Sequence, residues 1–245
     1  MDKLVSAYLL KGHSNKIKSI CFSQNGDFLA SAGEHKSLKL WDLKKDKSIA
    51  LEGHGISSLC SSVNSVAFSA NLKFLASGGG DKTIKIWSPK VRKEIYTLIG
   101  HDQKVNSVAF HPNSKVVASG SDDKTIKLWS IETGQHLRTL EGHSDKVLCI
   151  VYSPDGKTLA SGGGDNDKTI KLWNLSQKSI FTLKGHSDWF GAVCSIAFSP
   201  DGKLIASGSK DKTIKIWQVN QGKELMTFKG HSEEVTSVAI SPEGN

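Results

Sequence analysis

Asp81-Lys82-Thr83-Ile84-Lys85-Ile86-Trp87 decides the fold, because it recurs with at most one Ile/Leu exchange at Asp123–Trp129, Asp167–Trp173 and Asp211–Trp217. A weaker copy, Glu34-His35-Lys36-Ser37-Leu38-Lys39-Leu40-Trp41, precedes them. Each strong copy follows an Ala-Ser-Gly segment and is followed 13 or 14 residues later by Gly-His. The Gly-His pairs end at His13, His54, His101, His143, His186 and His231, so the period is 41 to 47 residues. A fixed period of this size marks one supersecondary unit copied many times, whose copies bury their apolar faces only by stacking on one another.

Working outward within one copy, Val105-Asn106-Ser107-Val108-Ala109-Phe110 alternates and is β-prone, which predicts a first strand, a. His111-Pro112-Asn113-Ser114 is a turn, and Val116–Gly120 is strand b. A tight polar turn over Ser121–Lys124 leads into strand c, Thr125–Trp129, and Ile131–Gly134 turns again into strand d, Gln135–Leu140. Four short antiparallel strands at this spacing predict an all-β chain of small twisted sheets stacked radially as propeller blades. The repeats run over residues 12–52, 53–99, 100–141, 142–184 and 185–229, with a partial repeat at 230–245 and an outer strand at 3–10.

Gly-His, Ala-Ser-Gly, the turn aspartate and the tryptophan ending strand c together resemble the WD-repeat family over almost the whole chain. Only Trp41-Asp42 keeps the literal dipeptide; Trp87-Ser88, Trp129-Ser130, Trp173-Asn174 and Trp217-Gln218 have drifted. The high identity between copies is similar to that of regular bacterial WD-repeat arrays, which are often joined to kinase or NTPase modules. The resemblance implies a hydrogen-bonded set in each blade. These sets are His54, Ser77, Asp81 and Trp87; His101, Ser119, Asp123 and Trp129; His143, Ser161, Asp167 and Trp173; and His186, Ser207, Asp211 and Trp217. In the first repeat His13, Ser31 and Trp41 match, but His35 stands where the aspartate belongs. That blade is expected to be the least stable.

A serine, a histidine and an aspartate in every copy do not spell a hydrolase. One active site does not recur four times in register, and an indole N–H at the end of the set needs a buried acceptor rather than a substrate. The six Gly-His histidines belong to different blades and do not converge on one metal ion. No P-loop or kinase glycine loop occurs, so the chain reads as non-catalytic and without a cofactor.

Function is then expected where the copies differ. Gly55–Ser62, with Ile56 and Leu59, is five residues longer than the template, and Ser187–Ala192, with Trp189 and Phe190, is three longer. The fourth repeat adds two residues around Gly164-Asp165-Asn166-Asp167. Connections d–a and b–c emerge on one side of an antiparallel blade, so a single face, the top, carries the variation. Adjacent large aromatics such as Trp189 and Phe190 either anchor a partner or fold back to plug the gap between blades. Lys36, Lys82, Lys124, Lys168 and Lys212 follow the turn position and are expected to ring the same face, as partner-steering charges or as duplicated consensus.

Net charge is +8, yet of 32 basic residues only Arg92 and Arg138 are arginine, which argues against base and phosphate readout. Cys21, Cys60, Cys149 and Cys194 show no C-x-x-C spacing and read as reduced thiols. No signal peptide or membrane span is evident, and a cytoplasmic protein is expected. The expected role is a protein–protein interaction scaffold. The alternatives are a sensing or targeting part of a larger regulatory protein, or an electrostatic binder of an acidic or nucleic-acid partner. Val235–Ile240 reads as one more strand a, followed by a turn without its return strand. An incomplete ring is therefore expected, with self-association through open blade edges as its hazard.

Overall fold

Each repeat supplies four β-prone runs, and each set closes into its own antiparallel sheet. The computed structural model describes residues 9–34, 38–55, 62–177, 179–186 and 190–244. Blade 1 contains β1 (Ile17–Phe22), β2 (Phe28–Gly33), β3 (Leu38–Asp42) and β4 (Lys47–Ala50). Blade 2 contains β5 (Val63–Phe68), β6 (Leu75–Gly79), β7 (Ile84–Ser88) and β8 (Lys93–Leu98). Blade 3 contains β9 (Val105–Phe110), β10 (Val116–Ser121), β11 (Ile126–Ser130) and β12 (His136–Leu140). Blade 4 contains β13 (Val147–Tyr152), β14 (Thr158–Gly163), β15 (Ile170–Asn174) and β16 (Ser179–Leu183). Blade 5 contains β17 (Val193–Phe198), β18 (Leu204–Ser209), β19 (Ile214–Gln218) and β20 (Lys223–Phe228). Strands pair in chain order within every sheet, and no helix occurs among the described residues. The expected strands of the third repeat match β9 to β12 to within a residue at each end.

The core lies between blades, not within them. Four apolar clusters occur, each shared by two consecutive blades: Ala30, Leu40 and Leu75 with Trp87, for example, or Ile84 and Val105 with Trp129. Strand b of one blade meets strand a of the next so closely that only a small residue fits. A Cβ on Gly78 would lie 2.6 Å from Val105 Cγ1 and 2.9 Å from Val108 Cγ1. The Ala-Ser-Gly signature is therefore a packing requirement of the layer between blades.

The second residue of strand a is skipped by a register shift in all five blades, as between Val63 and Ser65 or Val147 and Cys149. The serine that follows crosses to the next blade. Ser19 Oγ accepts from Val66 N at 3.2 Å, Ser65 Oγ from Val108 N at 3.1 Å and Ser107 Oγ from Ile150 N at 3.1 Å.

The two ends differ from expectation or fall outside view. No strand forms over Val235–Ile240, because a ladder needs a strand b and none is present there. The segment still takes a strand-a position, with Val235 N donating to Ser209 O at 3.0 Å and Val238 N to Ser195 Oγ at 3.1 Å. Of the outer strand expected at 3–10, residues 3–8 lie outside the described residues, and Leu9 and Leu10 are not in a strand.

Candidate protein interface

Strand c ends in a tryptophan whose indole points back across strand b, so its donor finds the strand-b serine. In blade 3, Trp129 Nε1 donates to Ser119 Oγ at 2.9 Å, and Ser119 Oγ lies 2.8 Å from His101 Nε2. His101 Nδ1 lies 2.6 Å from Asp123 Oδ2. The indole only donates and the carboxylate only accepts, so a neutral ring donates from Nδ1 to Asp123 and accepts at Nε2 from the serine hydroxyl. Asp123 also takes Thr125 Oγ1 at 2.7 Å and the Asp102 amide at 3.1 Å.

The same chain of bonds joins His54, Ser77, Asp81 and Trp87, with distances of 2.7 Å (His54–Ser77), 2.8 Å (Trp87–Ser77) and 3.0 Å (His54–Asp81). It also joins His186, Ser207, Asp211 and Trp217, at 2.7, 2.8 and 2.8 Å. In blade 4, Ser161 lies 2.6 Å from His143 Nε2 and accepts from Trp173 at 2.8 Å. His143 Nδ1 is 3.1 Å from Asp167 but poorly aimed, and Ser144 N donates to that carboxylate at 2.6 Å, as Gly55 N and Asp102 N do to Asp81 and Asp123.

In blade 1 the described residues hold the inner half of the set. Ser31 Oγ lies 2.6 Å from His13 Nε2 and accepts from Trp41 at 2.7 Å. His35 lies outside the described residues.

Electrostatics match a locked structural role. Burial alone would raise the Asp81 and Asp123 carboxyls, but bonds from His54 and His101, helped by Thr83 and Thr125, hold both well below the usual carboxylate range. Burial lowers His186, and Asp211 beside it opposes that only in part. The serine oxygens are fully buried and already bonded on both sides, leaving no face for a substrate. Among the described residues no group of three or more His, Cys, Asp or Glu is placed to hold a metal ion. No helix there is long and apolar enough to cross a membrane.

The b–c turns and d–a connections do share one side. Gly80 N donates to Ser62 O, Asp122 N to Lys104 O, Gly164 N to Lys146 O and Lys210 N to Ala192 O. Lys82, Lys124, Lys168 and Lys212 all sit at left-handed turn positions, with φ between 58° and 70°. They are not equivalent charges. Lys82 and Lys124 are exposed, Lys212 donates to Ser232 O at 2.7 Å, and the Lys168 stem is covered by Gly191 of the longer d–a connection. Phe190 beside it is 67% exposed, so it does not plug the gap between blades. Trp189, Ile56, Leu59 and Lys36 lie outside the described residues.

Two sets of residues carry more of this architecture than their sequence suggests. The strand-a serines bridge blades, and Cys149 replaces one of them, turning its thiol to Val193 O at 3.4 Å. The first lysine after Thr-Ile in strand c is buried in blades 2 and 5 and half-buried in blades 3 and 4. Lys85 Nζ reaches Glu94 at 2.8 Å and Thr97 at 2.6 Å, and Lys215 repeats this with Glu224 and Thr227. Both were visible as recurrences, a serine third in strand a and a lysine in every Thr-Ile-Lys, but neither residue type announces burial.

Four-stranded sheets stacked face to face, each pinned by a Trp–Ser–His chain and mostly by an aspartate, define a propeller-type repeat protein. The chain belongs to the WD40 family: the WD domain, G-beta repeat, matches residues 4–42, 46–88, 92–130, 134–174, 177–218 and 222–245. The four matches between residues 46 and 218 each take in strand d of one blade and end with strand c of the next, one strand out of phase with the sheets. The chain is similar to nuclear distribution protein PAC1 of Candida tropicalis, 38% identical over 84 residues, covering 33% of this chain and 16% of that protein. It is also similar to nuclear distribution protein nudF of Emericella nidulans, 38% identical over 84 residues, covering 34% and 18%. PAC1 of Candida albicans is 44% identical over 69 residues, covering 28% and 14%. Each match thus spans less than a fifth of the relative's own length.

Proposed function

We propose that this chain is a non-catalytic scaffold that holds partner proteins on the face formed by its d–a and b–c connections. One observation carries the reading: Phe190 stands exposed in a lengthened connection, while the serine and histidine of each of the four tetrads are buried. A large exposed aromatic on a rigid scaffold is the type of residue that anchors an interface. The lysines of the same face supply encounter charge rather than a specific site. Membership of the WD40 family supports a binding role. The stretch shared with the nuclear distribution proteins amounts to about two repeats, which supports the scaffold and not their named role.

The test is affinity capture from the native lysate, with wild type, Phe190→Ser and the double variant Lys82→Glu/Lys124→Glu run in parallel. Proteins retained by wild type and lost with Phe190→Ser support the aromatic anchor. Retention of the same set by Phe190→Ser, with loss only in the lysine variant and at raised salt, would replace it with an electrostatic contact.

A further inference from the structure

We infer that the outer-rim groove between blades 3 and 4 binds an extended peptide segment of a partner protein, through an aromatic side chain with a carboxylate beside it. The groove lies on the rim and not on the d–a and b–c face, so it stands whether or not the top-face reading holds. One register position on strand d decides how each seam is filled at the rim. It is Ile49 opposite Leu40, Tyr96 opposite Ile86, Arg138 opposite Leu128 and Phe181 opposite Leu172. Tyr96 and Phe181 fill the place with a ring from the chain itself, pressed on the c–d turn of the following blade at Gly134 and Gly222. The Tyr96 hydroxyl also donates to Glu132 O at 2.9 Å.

The seam between blades 3 and 4 departs from this pattern on both walls. Arg138 stands where the ring would be and is half-buried, and its guanidinium makes no hydrogen bond or ion pair among the described residues. On the facing wall, the residue opposite the strand-c tryptophan is Ser48, Glu94, His136 or Glu224 in the other blades. Here it is Ile180, opposite Trp173 and 46% exposed. Between the walls runs an open groove of about 90 Å³, with Arg138, Leu140 and Glu141 on one side and Trp173, Leu175 and Ile180 on the other.

The occupant follows from these walls. Trp173, Leu175 and Ile180 form an apolar wall of the kind that receives a ring, and the two neighbouring seams seat a ring at this place. An unpaired, half-buried guanidinium calls for a planar anion, which a carboxylate meets with two parallel hydrogen bonds. Glu141 in the same groove repels a polyanion, which favours a single carboxylate over nucleic acid or an anionic membrane. The volume suits one side chain, whereas sites for drug-sized ligands run to roughly 300–1,000 Å³. The turn position equivalent to Gly134 and Gly222 is Lys178, which lies outside the described residues.

The experiment is selection of a random peptide display library on the full chain, followed by titration of the enriched peptides against wild type and variants. Enriched sequences are expected to place a phenylalanine, tyrosine or tryptophan beside an aspartate or glutamate. Arg138→Gln keeps the groove open but removes the charge, and is expected to weaken binding by about tenfold or more. Arg138→Tyr copies blade 2 and fills the groove from within, and is expected to abolish binding. Both variants are checked for a thermal transition no lower than that of wild type. Phe190→Ser is expected to bind as wild type does, which separates this site from the top face. Peptides that bind Arg138→Tyr as well as wild type would overturn the inference, as would enrichment of acidic sequences without a ring. So would a selection in which wild type enriches nothing that Arg138→Tyr does not.

Discussion

Blades 1 and 3 are built from nearly the same residues and end in different states. Both have a tryptophan closing strand c, a strand-b serine and a Gly-His histidine bonded to it. Blade 3 adds Asp123 and is packed on both faces; blade 1 lacks the aspartate and is packed on one. His101 is buried, while His13 is half-buried. The difference teaches that a blade's stability is not a property of its own sequence alone. It is the sum of an internal network and the neighbours that cover it.

The largest test of this contrast is to remove the indole. Trp129→Ala is expected to cost about 3–5 kcal/mol in urea unfolding, the range for a fully buried tryptophan. Trp41→Ala is expected to cost less and to leave the transition of the remaining blades almost unchanged, since Trp41 lies in none of the four layers between blades and Trp129 lies in one. Equal costs would mean that the two blades differ in appearance but not in energy.

The aspartate comes next. Asp123→Ala strips the partner from a buried His101 Nδ1 and is expected to cost about 1–3 kcal/mol. The reverse substitution, His35→Asp, places a carboxylate at the position equivalent to Asp123 and is expected to slow amide exchange across β1–β3. Exchange that stays as fast as in wild type would put the weakness of blade 1 wholly in the exposure of β1.

Acid should separate the blades and then bring them together. His13 is held below the ordinary histidine value of 6.5 by burial, with Lys39 adding to the effect. Its neutral form therefore contributes stability above pH 6.5 that is lost as pH falls through its lowered value. Asp123 is held below the ordinary value of 3.8, so its contribution is present above that pH and is lost only as pH falls through its own, lower value. Residue-level exchange is expected to show blade 1 opening first as pH drops below 6.5, with the gap narrowing only in strong acid. Parallel loss in both blades would show that the two networks are not independent.

The smallest effect is expected at Cys149. Cys149→Ser restores the hydroxyl that the other strand-a positions offer the next blade, and a gain of about 0.5–1.5 kcal/mol is expected from the Ile196 amide. No gain would show that the thiol contact to Val193 O is already an adequate substitute.

Much of this was legible in the repeat itself. Asp-Lys-Thr-Ile-Lys-Ile-Trp names a turn and a strand at once, so strands b and c follow from spacing, while their hydrogen-bonded partners came from the resemblance to the WD-repeat family. The inter-blade serines were harder to read, because an isolated serine in a strand looks like a solvated position until the next sheet is in place. Val235–Ile240 has the composition of a strand a and forms no strand, since strand identity belongs to the pair and not to the segment. Phe190 was legible as an unusual residue but not as an exposed one; exposure depends on the path of its connection.

The one-strand offset between the matched repeats and the sheets has an evolutionary consequence. The stretch that matches is not the sheet that folds: each brings the outer strand of one blade and the inner strands of the next. Inserting or losing one copy therefore leaves every surviving seam between sheets made of the same pair of surfaces as before. A lineage can lengthen or shorten such an array in whole steps without inventing a new contact, and the near-identity of the four Asp-Lys-Thr-Ile-Lys copies fits a history of such steps.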